Sequence, residues 1–260
     1  MIRCFALLLI LMPCGCLVGA DEIPPLVTDR PDFTESAETV PRGGIQLEFG
    51  YTFGEEGDLK THALGEVLVR AALVEWAEVR VGLNSWAWAD GPDCRCDGLE
   101  DSSLGAKFKL ADAPDEPGSI RPAVALLVGT SVPTGDDGFG EDEWQPEAKL
   151  ALAWDLNDRT ALSTNVGYAY PSENGEGFSE FSGSLSLGYG LTGSVGCYVE
   201  YYQFLRNETG MDDPGFINGG FTWLTGENFQ FDWRAGYQVA GDGSEFYTGI
   251  GASWRWFLRR

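Results

Sequence analysis

Residues 181–202 read FSGSLSLGYGLTGSVGCYVEYY and contain the pattern that decides the fold. From Phe181 to Leu191, large apolar side chains alternate with serine and glycine, which is the two-residue period of a β-strand. Residues 192–194 then form a tight turn, and a second alternating stretch covers 195–205. The pattern predicts two antiparallel strands joined by a short turn.

The same pattern recurs along the chain and predicts twelve strands, at residues 45–53, 64–73, 78–86, 104–110, 120–131, 146–155, 160–170, 181–191, 195–205, 215–224, 228–239 and 246–257. Their connections alternate in character. Tight turns are predicted at 74–77, 157–158, 192–194 and 225–227, with a longer one at 111–119, whereas acidic, glycine-rich connections of variable length are predicted at 54–62, 88–102, 132–144, 171–179, 206–214 and 240–245. Because the number of strands is even, both termini belong at the tight-turn end. Outer-membrane β-barrels have this layout.

A secreted β-sandwich also alternates apolar and polar residues, so the alternation alone does not exclude one. Strands of about ten residues are long enough for a tilted strand to cross the hydrocarbon layer. Trp and Tyr near strand ends are typical of interfacial girdles; they are Trp154, Tyr168, Tyr170, Trp223, Trp254 and Trp256. Closure into a barrel pairs every backbone group without water. The sequence therefore favours an all-β fold, an antiparallel up-and-down transmembrane barrel of about 12 strands over residues 43–260.

The polar faces of these strands carry charges of both signs, as a wet lumen does. The predicted lumen-lining residues are Glu66, Arg70, Arg80, Lys107, Lys109, Glu147, Lys149, Asp232 and Arg234. Two roles are open for them: they select what passes, or they fill a narrow barrel with ion pairs.

The first twenty residues combine Arg3, a short apolar run and a small-residue ending at Val18-Gly19-Ala20. This is the pattern of a secretory signal peptide, residues 1–20, and the apolar run is too short for a transmembrane helix. Residues 21–42 follow as a lead-in on the periplasmic side, either a plug in the barrel or a disordered tether. The formal net charge of the whole chain is −23, which argues against nucleic acid as a partner.

Five stretches carry a resemblance to a known family. They are VTDRPDFTESAETVPRGGIQLEFGYTF at 27–53, HALGEVLVRAALVEWAEVRVGLNSW at 62–86, SSLGAKFKL at 102–110, VGTSVPTGD at 128–136 and LNDRTALSTNVGY at 156–168. Together they resemble the bacterial outer-membrane transporter-like family named for the meta-pathway of phenol degradation. The likeness runs from about residue 27 to the C-terminus, and Thr28–Ser36 is its most distinctive element. The resemblance implies an outer-membrane barrel that passes small, often hydrophobic or aromatic, compounds.

Little in the sequence points to catalysis. The only histidine, His62, is expected in the first outer loop or just inside strand two. It has no adjacent serine and is interpreted as a solvated loop residue rather than as part of a triad. The three cysteines beyond the signal peptide, Cys94, Cys96 and Cys197, form neither a disulfide framework nor a four-ligand zinc site. The acidic stretch 135–143 lacks the spacing of a calcium loop. A weaker hypothesis is that such loops bind divalent cations that bridge them to lipopolysaccharide.

The sequence thus predicts an outer-membrane channel or transporter for small molecules, without enzymatic activity, metal or cofactor. Its expected partners are outer-membrane lipid and lipopolysaccharide, small-molecule solutes and the outer-membrane assembly machinery. Two alternatives stay open at this point: a structural or adhesive surface barrel with a closed lumen, and a soluble secreted β-sandwich that binds a ligand.

Overall fold

A computed structural model describes residues 24–92, 95–173, 175–207 and 212–258. The predicted signal peptide, residues 1–20, lies outside the described residues. The described part of the chain is all-β, and it contains no helix that could span a membrane.

Sixteen strands are present in the described residues. They are β1 Gly44–Glu56, β2 Leu59–Val74, β3 Ala77–Gly82, β4 Trp86–Asp90, β5 Arg95–Leu99, β6 Ser102–Ala111, β7 Ala123–Val132, β8 Gln145–Asn157, β9 Thr160–Ala169, β10 Ser172–Glu173, β11 Glu176–Gly177, β12 Glu180–Gly190, β13 Val195–Arg206, β14 Gly215–Leu224, β15 Phe229–Ala240 and β16 Phe246–Phe257. Both β3 and β4 pair with β2, so they are the two halves of one interrupted strand. In the same way, β6 pairs with β3 and β5 pairs with β4, so β5 and β6 are the halves of the next strand. The pair β10–β11 is a separate small hairpin.

The remaining strands close into one antiparallel barrel of twelve strands. Each strand pairs with its neighbour in the chain, and β1 pairs with both β2 and β16. In the closing pair, Ile45 lies opposite Trp256 and Glu55 opposite Phe246. The predicted fold class is therefore confirmed, and the soluble-sandwich alternative is wrong because the sheet has no free edge.

The two ends of the barrel differ. Tight turns join β2 to β3, β8 to β9, β12 to β13 and β14 to β15, and the first and last strands meet at this same end, where the Leu258 amide donates to the Gly43 carbonyl at 2.9 Å. We call it the short-turn end and the opposite one the long-connection end.

Two of the predicted long connections are wrong. Within 54–62, β1 and β2 continue until only Gly57 and Asp58 separate them, and β4 and β5 occupy most of 88–102. Gly57 has a φ of +58°, the left-handed conformation that a two-residue hairpin turn requires. Beyond the hydrocarbon layer a strand needs no apolar face, so the alternation that locates strands in sequence stops before the strand pairing does.

The interior of the barrel is polar and its exterior is apolar. The largest fully buried side chains include Arg70, Arg255, Lys107, Gln46, Glu48 and Glu78, whereas large apolar residues such as Val166, Leu185 and Ile250 are exposed on the outside. Two small apolar clusters lie among the buried residues: Ala37 with Ala123, Ala125, Leu127 and Ala151, and Tyr202 with Phe216 and Tyr247. An apolar exterior and a polar interior are what a barrel surrounded by lipid requires.

Candidate functional site

Residues 24–42, here called the interior segment, run through the inside of the barrel. Near the short-turn end, Arg255 of β16 donates to the carbonyls of Pro24 and Pro25, at 2.8 and 3.1 Å. Further along, the Thr34 hydroxyl donates to Ser184 of β12, and the Val40 amide donates to Glu78 of β3. These strands lie on different sides of the barrel, so the segment is enclosed by it.

Asp29 is the centre of a buried charge cluster on the side formed by β1, β2, β3 and β6. Lys107 Nζ lies 2.9 Å from both Asp29 carboxylate oxygens, Arg70 Nη1 lies 3.2 Å away, and Arg80 also contacts this carboxylate. Arg70 in turn bonds Glu78 at 2.8 Å and Glu48 at 3.0 Å. The Asp29 cluster, defined as Asp29, Glu48, Arg70, Glu78, Arg80 and Lys107, has three acids and three bases. Buried charges persist only when they are paired in this way.

Glu35 ties the segment to the neighbouring strands. Its carboxylate oxygens lie 2.6 Å from Arg80 Nη2 and 3.0 Å from Lys149 Nζ. Burial alone would raise the pKa of this carboxyl, but Lys149 and Arg80 together lower it to about 2. The carboxylate therefore stays charged and paired at neutral pH.

Arg30 is held against strands β2, β15 and β16. Its Nη1 lies 2.8 Å from Glu66 and its Nη2 3.4 Å from Asp232. The guanidinium lies flat against Gly50 and Gly251, where an added Cβ would overlap it. The Glu66 carboxylate also accepts a hydrogen bond from the Thr52 hydroxyl. Glu66 has a φ of 41° and lies beside an irregularity in the β1–β2 pairing.

Glu200 of β13 grips the segment through its backbone. It accepts the amides of Phe33 at 2.6 Å and Thr34 at 3.0 Å, and it also accepts from Asn218 at 2.6 Å. The Phe33 ring stacks on Tyr202 with 4.3 Å between centroids. The Glu200 carboxylate thus accepts hydrogen bonds from the segment backbone and from β14 at the same time, and these bonds fix the position of Phe33 and Thr34 in the barrel.

The nine residues predicted from the sequence are not equivalent in the structure. Arg70, Arg80 and Lys107 meet at Asp29; Glu66, Asp232 and Arg234 surround Arg30; and Lys149 meets Glu35. Glu147 contacts Lys149 at 3.3 Å, and Lys109 bonds Glu38 at 3.4 Å and the exposed Asp112 at 2.6 Å. These three pairs lie partly in solvent.

Sequence reasoning missed Glu48, Glu78 and Glu200 as site residues. Each occupies a polar position of an alternating strand, and the nine predicted residues comprise six bases and three acids. The acidic character of residues 29–38 opposite those bases was the signal that could have linked the two.

Two cavities lie on either side of residues 32 and 33 of the interior segment, here called its tip. The aromatic chamber, of about 530 Å³, opens toward the long-connection end and is lined by Phe33, Phe139, Tyr202, Arg234 and Tyr247 among others. The small-residue chamber, of about 390 Å³, lies at the short-turn end. Its walls include Ser163, Ser186, Gly188, Gly190, Gly196 and Thr222, with Arg30, Pro31 and Asp32 on the segment side.

His62 lies just inside the second strand, one of the two positions expected from the sequence, and not in a solvated loop. His62 lies within β2 because that strand begins as early as Leu59. Its Nδ1 lies 2.7 Å from the Tyr51 hydroxyl, and its ring stacks on Trp88 at 4.4 Å. Among the described residues, no group of three His, Cys, Asp or Glu side chains is arranged to hold a metal ion.

The chain matches the family described as "Putative MetA-pathway of phenol degradation" over residues 28–256. Its fold is similar to that of the COG4313 outer membrane channel from Pseudomonas putida F1, with a TM-score of 0.67 and 13% identity over 85% of this chain and 98% of that one. It is also similar to the NanC porin, with a TM-score of 0.57 and 7% identity over 80% and 98%. No curated protein sequence matches. At sequence identities of 13% and 7%, these two similarities support the fold alone.

Proposed function

Because this chain belongs to the MetA-pathway phenol-degradation family, we propose that it is an outer-membrane channel for small hydrophobic or aromatic molecules, and that its interior segment is a plug. Residues 21–42 then act as a built-in closure of the lumen, and the nine predicted residues line that lumen. Most of them hold the plug rather than contact the solute. The protein has neither enzymatic activity nor a cofactor in this proposal, and its only histidine, His62, is engaged with Tyr51 and Trp88.

One observation supports the proposal: a segment of the chain lies inside the barrel but does not fill it. The segment is bonded to strands around the barrel, while cavities of about 530 and 390 Å³ lie on its two sides. Both spaces are open to solvent rather than sealed, so a small solute can enter the interior of the barrel from each end.

The aromatic part of the proposal is supported by the chamber at the long-connection end. Its walls combine Phe33, Phe139, Tyr202 and Tyr247 with three charged residues, Glu100, Arg234 and Glu245. Ligand sites for small organic molecules are typically concave, mostly apolar and of 300–1,000 Å³. The similar structure from Pseudomonas putida F1 is an outer membrane channel, and the family is named for the degradation of phenol, an aromatic compound; both support this proposal.

The test is an uptake measurement in a Gram-negative host with intact lipopolysaccharide. Lipopolysaccharide slows the entry of hydrophobic molecules, so a channel for them has a measurable effect only in such cells. Cells that express the chain should take up radiolabelled toluene several times faster than cells with an empty vector. Equal rates, with the barrel shown to be folded by its heat-dependent gel mobility, would overturn the channel function.

A structural or adhesive barrel with a closed lumen is the second candidate, because the buried Asp29 cluster resembles a filled interior. Conductance in planar bilayers separates the two. A structural barrel passes no ions whether or not the interior segment is loosened, whereas a plugged channel passes more ions once the segment is loosened.

A further inference from the structure

The two chambers meet along a single strand. On β13, the alternate inward positions are Gly196, Tyr198, Glu200 and Tyr202. The first two line the small-residue chamber, and Tyr202 lines the aromatic chamber. Glu200 lies between them and is buried.

The interior segment crosses this strand at the same level. Asp32 lines the small-residue chamber and Phe33 lines the aromatic chamber, and Glu200 holds the amides of Phe33 and Thr34. One peptide unit, that between Asp32 and Phe33, therefore separates the chambers along β13. Nearby, Arg234 donates to the Pro31 carbonyl at 3.3 Å and completes the partition.

The opposite side of the interior offers no such passage. Cavities of about 350 and 370 Å³ lie there too, beside Glu35 and beside Glu38, but the side chains of Arg70, Lys107, Glu48 and Glu78 line neither cavity and are fully buried. A solute passing on that side would have to separate several buried ion pairs at once, and separating even one is strongly unfavourable.

We propose that the aromatic and small-residue chambers are the two halves of one translocation route along β13, with the Asp32–Phe33 peptide as its gate. The inference rests on the proposed channel function and adds to it a path, a barrier and a binding chamber. The solute first enters the aromatic chamber, then passes when Asp32 and Phe33 move off Glu200 while the Asp29 cluster keeps the rest of the segment in place.

The chemistry of the aromatic chamber selects a neutral one-ring or two-ring aromatic solute. Tyr202 stacks between Phe33 at 4.3 Å and Phe216 at 5.0 Å, and its hydroxyl bonds that of Tyr247 at 2.9 Å, so the wall is aromatic and its hydroxyls are paired. The one cation, Arg234, is offset by Glu66 at 3.4 Å. Glu100 and Glu245 also line the chamber, and with a chain of net charge −23 they disfavour anions.

The test adds the same side chain to two glycines of β12. Gly188 lines the small-residue chamber, and a Cβ placed there would meet only the Ala161 carbonyl, at 3.9 Å. Gly183 is exposed on the outer face beside Leu185, and a Cβ there would meet nothing within 4 Å. Gly188→Leu therefore narrows the proposed route, and Gly183→Leu is its matched control on the lipid side.

Gly188→Leu should lower the initial uptake of radiolabelled toluene by roughly fivefold or more, because pore width limits passage, while Gly183→Leu should match the wild type. Equal uptake by both variants would show that the route does not cross the small-residue chamber. If the wild type itself does not exceed the empty vector, the channel function fails, and not the route. Heat-dependent gel mobility checks that each variant is folded, and Gly190→Leu replaces Gly188→Leu if that variant does not fold.

Two further measurements test the gate and the solute class. Phe33→Ala should raise bilayer conductance above that of the wild type, because it removes the ring from the partition; unchanged conductance would place the barrier elsewhere. At neutral pH, excess phenol should compete with toluene uptake and excess benzoate should not. Equal competition by benzoate would overturn the preference for neutral solutes.

Discussion

The two sides of the barrel interior carry different kinds of side chain. On the side of β1, β2, β3 and β6, long charged side chains meet in a buried cluster at Asp29. On the side of β12 to β14, the inward positions include Ser184, Ser186, Gly188 and Gly196, and cavities remain. The difference teaches that anchoring and passage need not share residues. One side holds the interior segment through buried ion pairs, and the other, which holds it through Glu200 and Ser184, leaves room beside it.

The comparison breaks first if the charged side contributes little stability. Arg70→Met keeps most of the side-chain volume and leaves Glu48, Glu78 and Asp29 with fewer cations in a buried site. Removing one partner of a buried ion pair costs about 3–5 kcal/mol, so the free energy of unfolding should fall by about this amount. Urea unfolding in detergent micelles, followed by tryptophan fluorescence, measures it.

Arg95→Met is the matched control for that variant. Arg95 pairs with Asp90 at 3.2 Å, but their side chains are 85% and 53% exposed. Exposed pairs contribute about 0–1 kcal/mol, so this variant should unfold nearly as the wild type does. A similar loss in both variants would mean that the buried cluster has no special weight.

Asp29→Asn tests whether the cluster holds the segment closed. The substitution preserves shape but removes the charge that Arg70, Arg80 and Lys107 share, leaving three cations against Glu48 and Glu78. We expect the segment to loosen and ionic conductance in planar bilayers to rise severalfold. Asp58→Asn, the same change in the exposed turn between β1 and β2, should leave conductance unchanged. Equal conductance of the wild type and Asp29→Asn would show that Asp29 does not hold the lumen closed.

The barrel could be predicted from the sequence, because alternation, turn spacing and an even strand count all depend on local pattern. The extra lengths of β1 and β2 could not, since their ends lie where no apolar face is required. The site was predicted in part. Strand alternation identifies Arg70 and Lys107 as inward-facing, but their partner Asp29 lies in a segment with no periodicity, so nothing local assigns its position.

The acidic partners show the same limit. Glu48 and Glu78 stand on the same polar faces as the predicted bases, yet whether a carboxylate faces a lumen, a cation or a backbone amide depends on the strand across the barrel. Glu200 is the clearest case, because its partners are the amides of Phe33 and Thr34, about 166 residues away in sequence.

The pH dependence of closure sharpens the role of Glu35. Since its pKa is lowered from 4.5 to about 2 when the segment is docked, its contribution is complete above pH 4.5 and is lost as the pH falls through this interval. Bilayer conductance should therefore stay constant from neutral pH down to about 5 and rise below 4.5. Glu35→Gln should begin with higher conductance at neutral pH and rise less on acidification. An identical pH profile in both proteins would remove Glu35 from the closure.

The smallest effect is expected at Lys109, and it tests the comparison within one strand. Lys107 and Lys109 both face inward from β6 and are indistinguishable in the sequence pattern, yet Lys107 is fully buried on Asp29, whereas Lys109 is 21% exposed and its partner Asp112 75%. Lys107→Met leaves a buried carboxylate short of a cation, so its unfolding free energy should fall clearly. Lys109→Met should lose less than about 1 kcal/mol, because solvent screens its pairs. If the two variants lose equal stability in urea, the feature that matters is inward direction alone, and the partition of the interior into an anchoring side and a passage side loses its energetic basis.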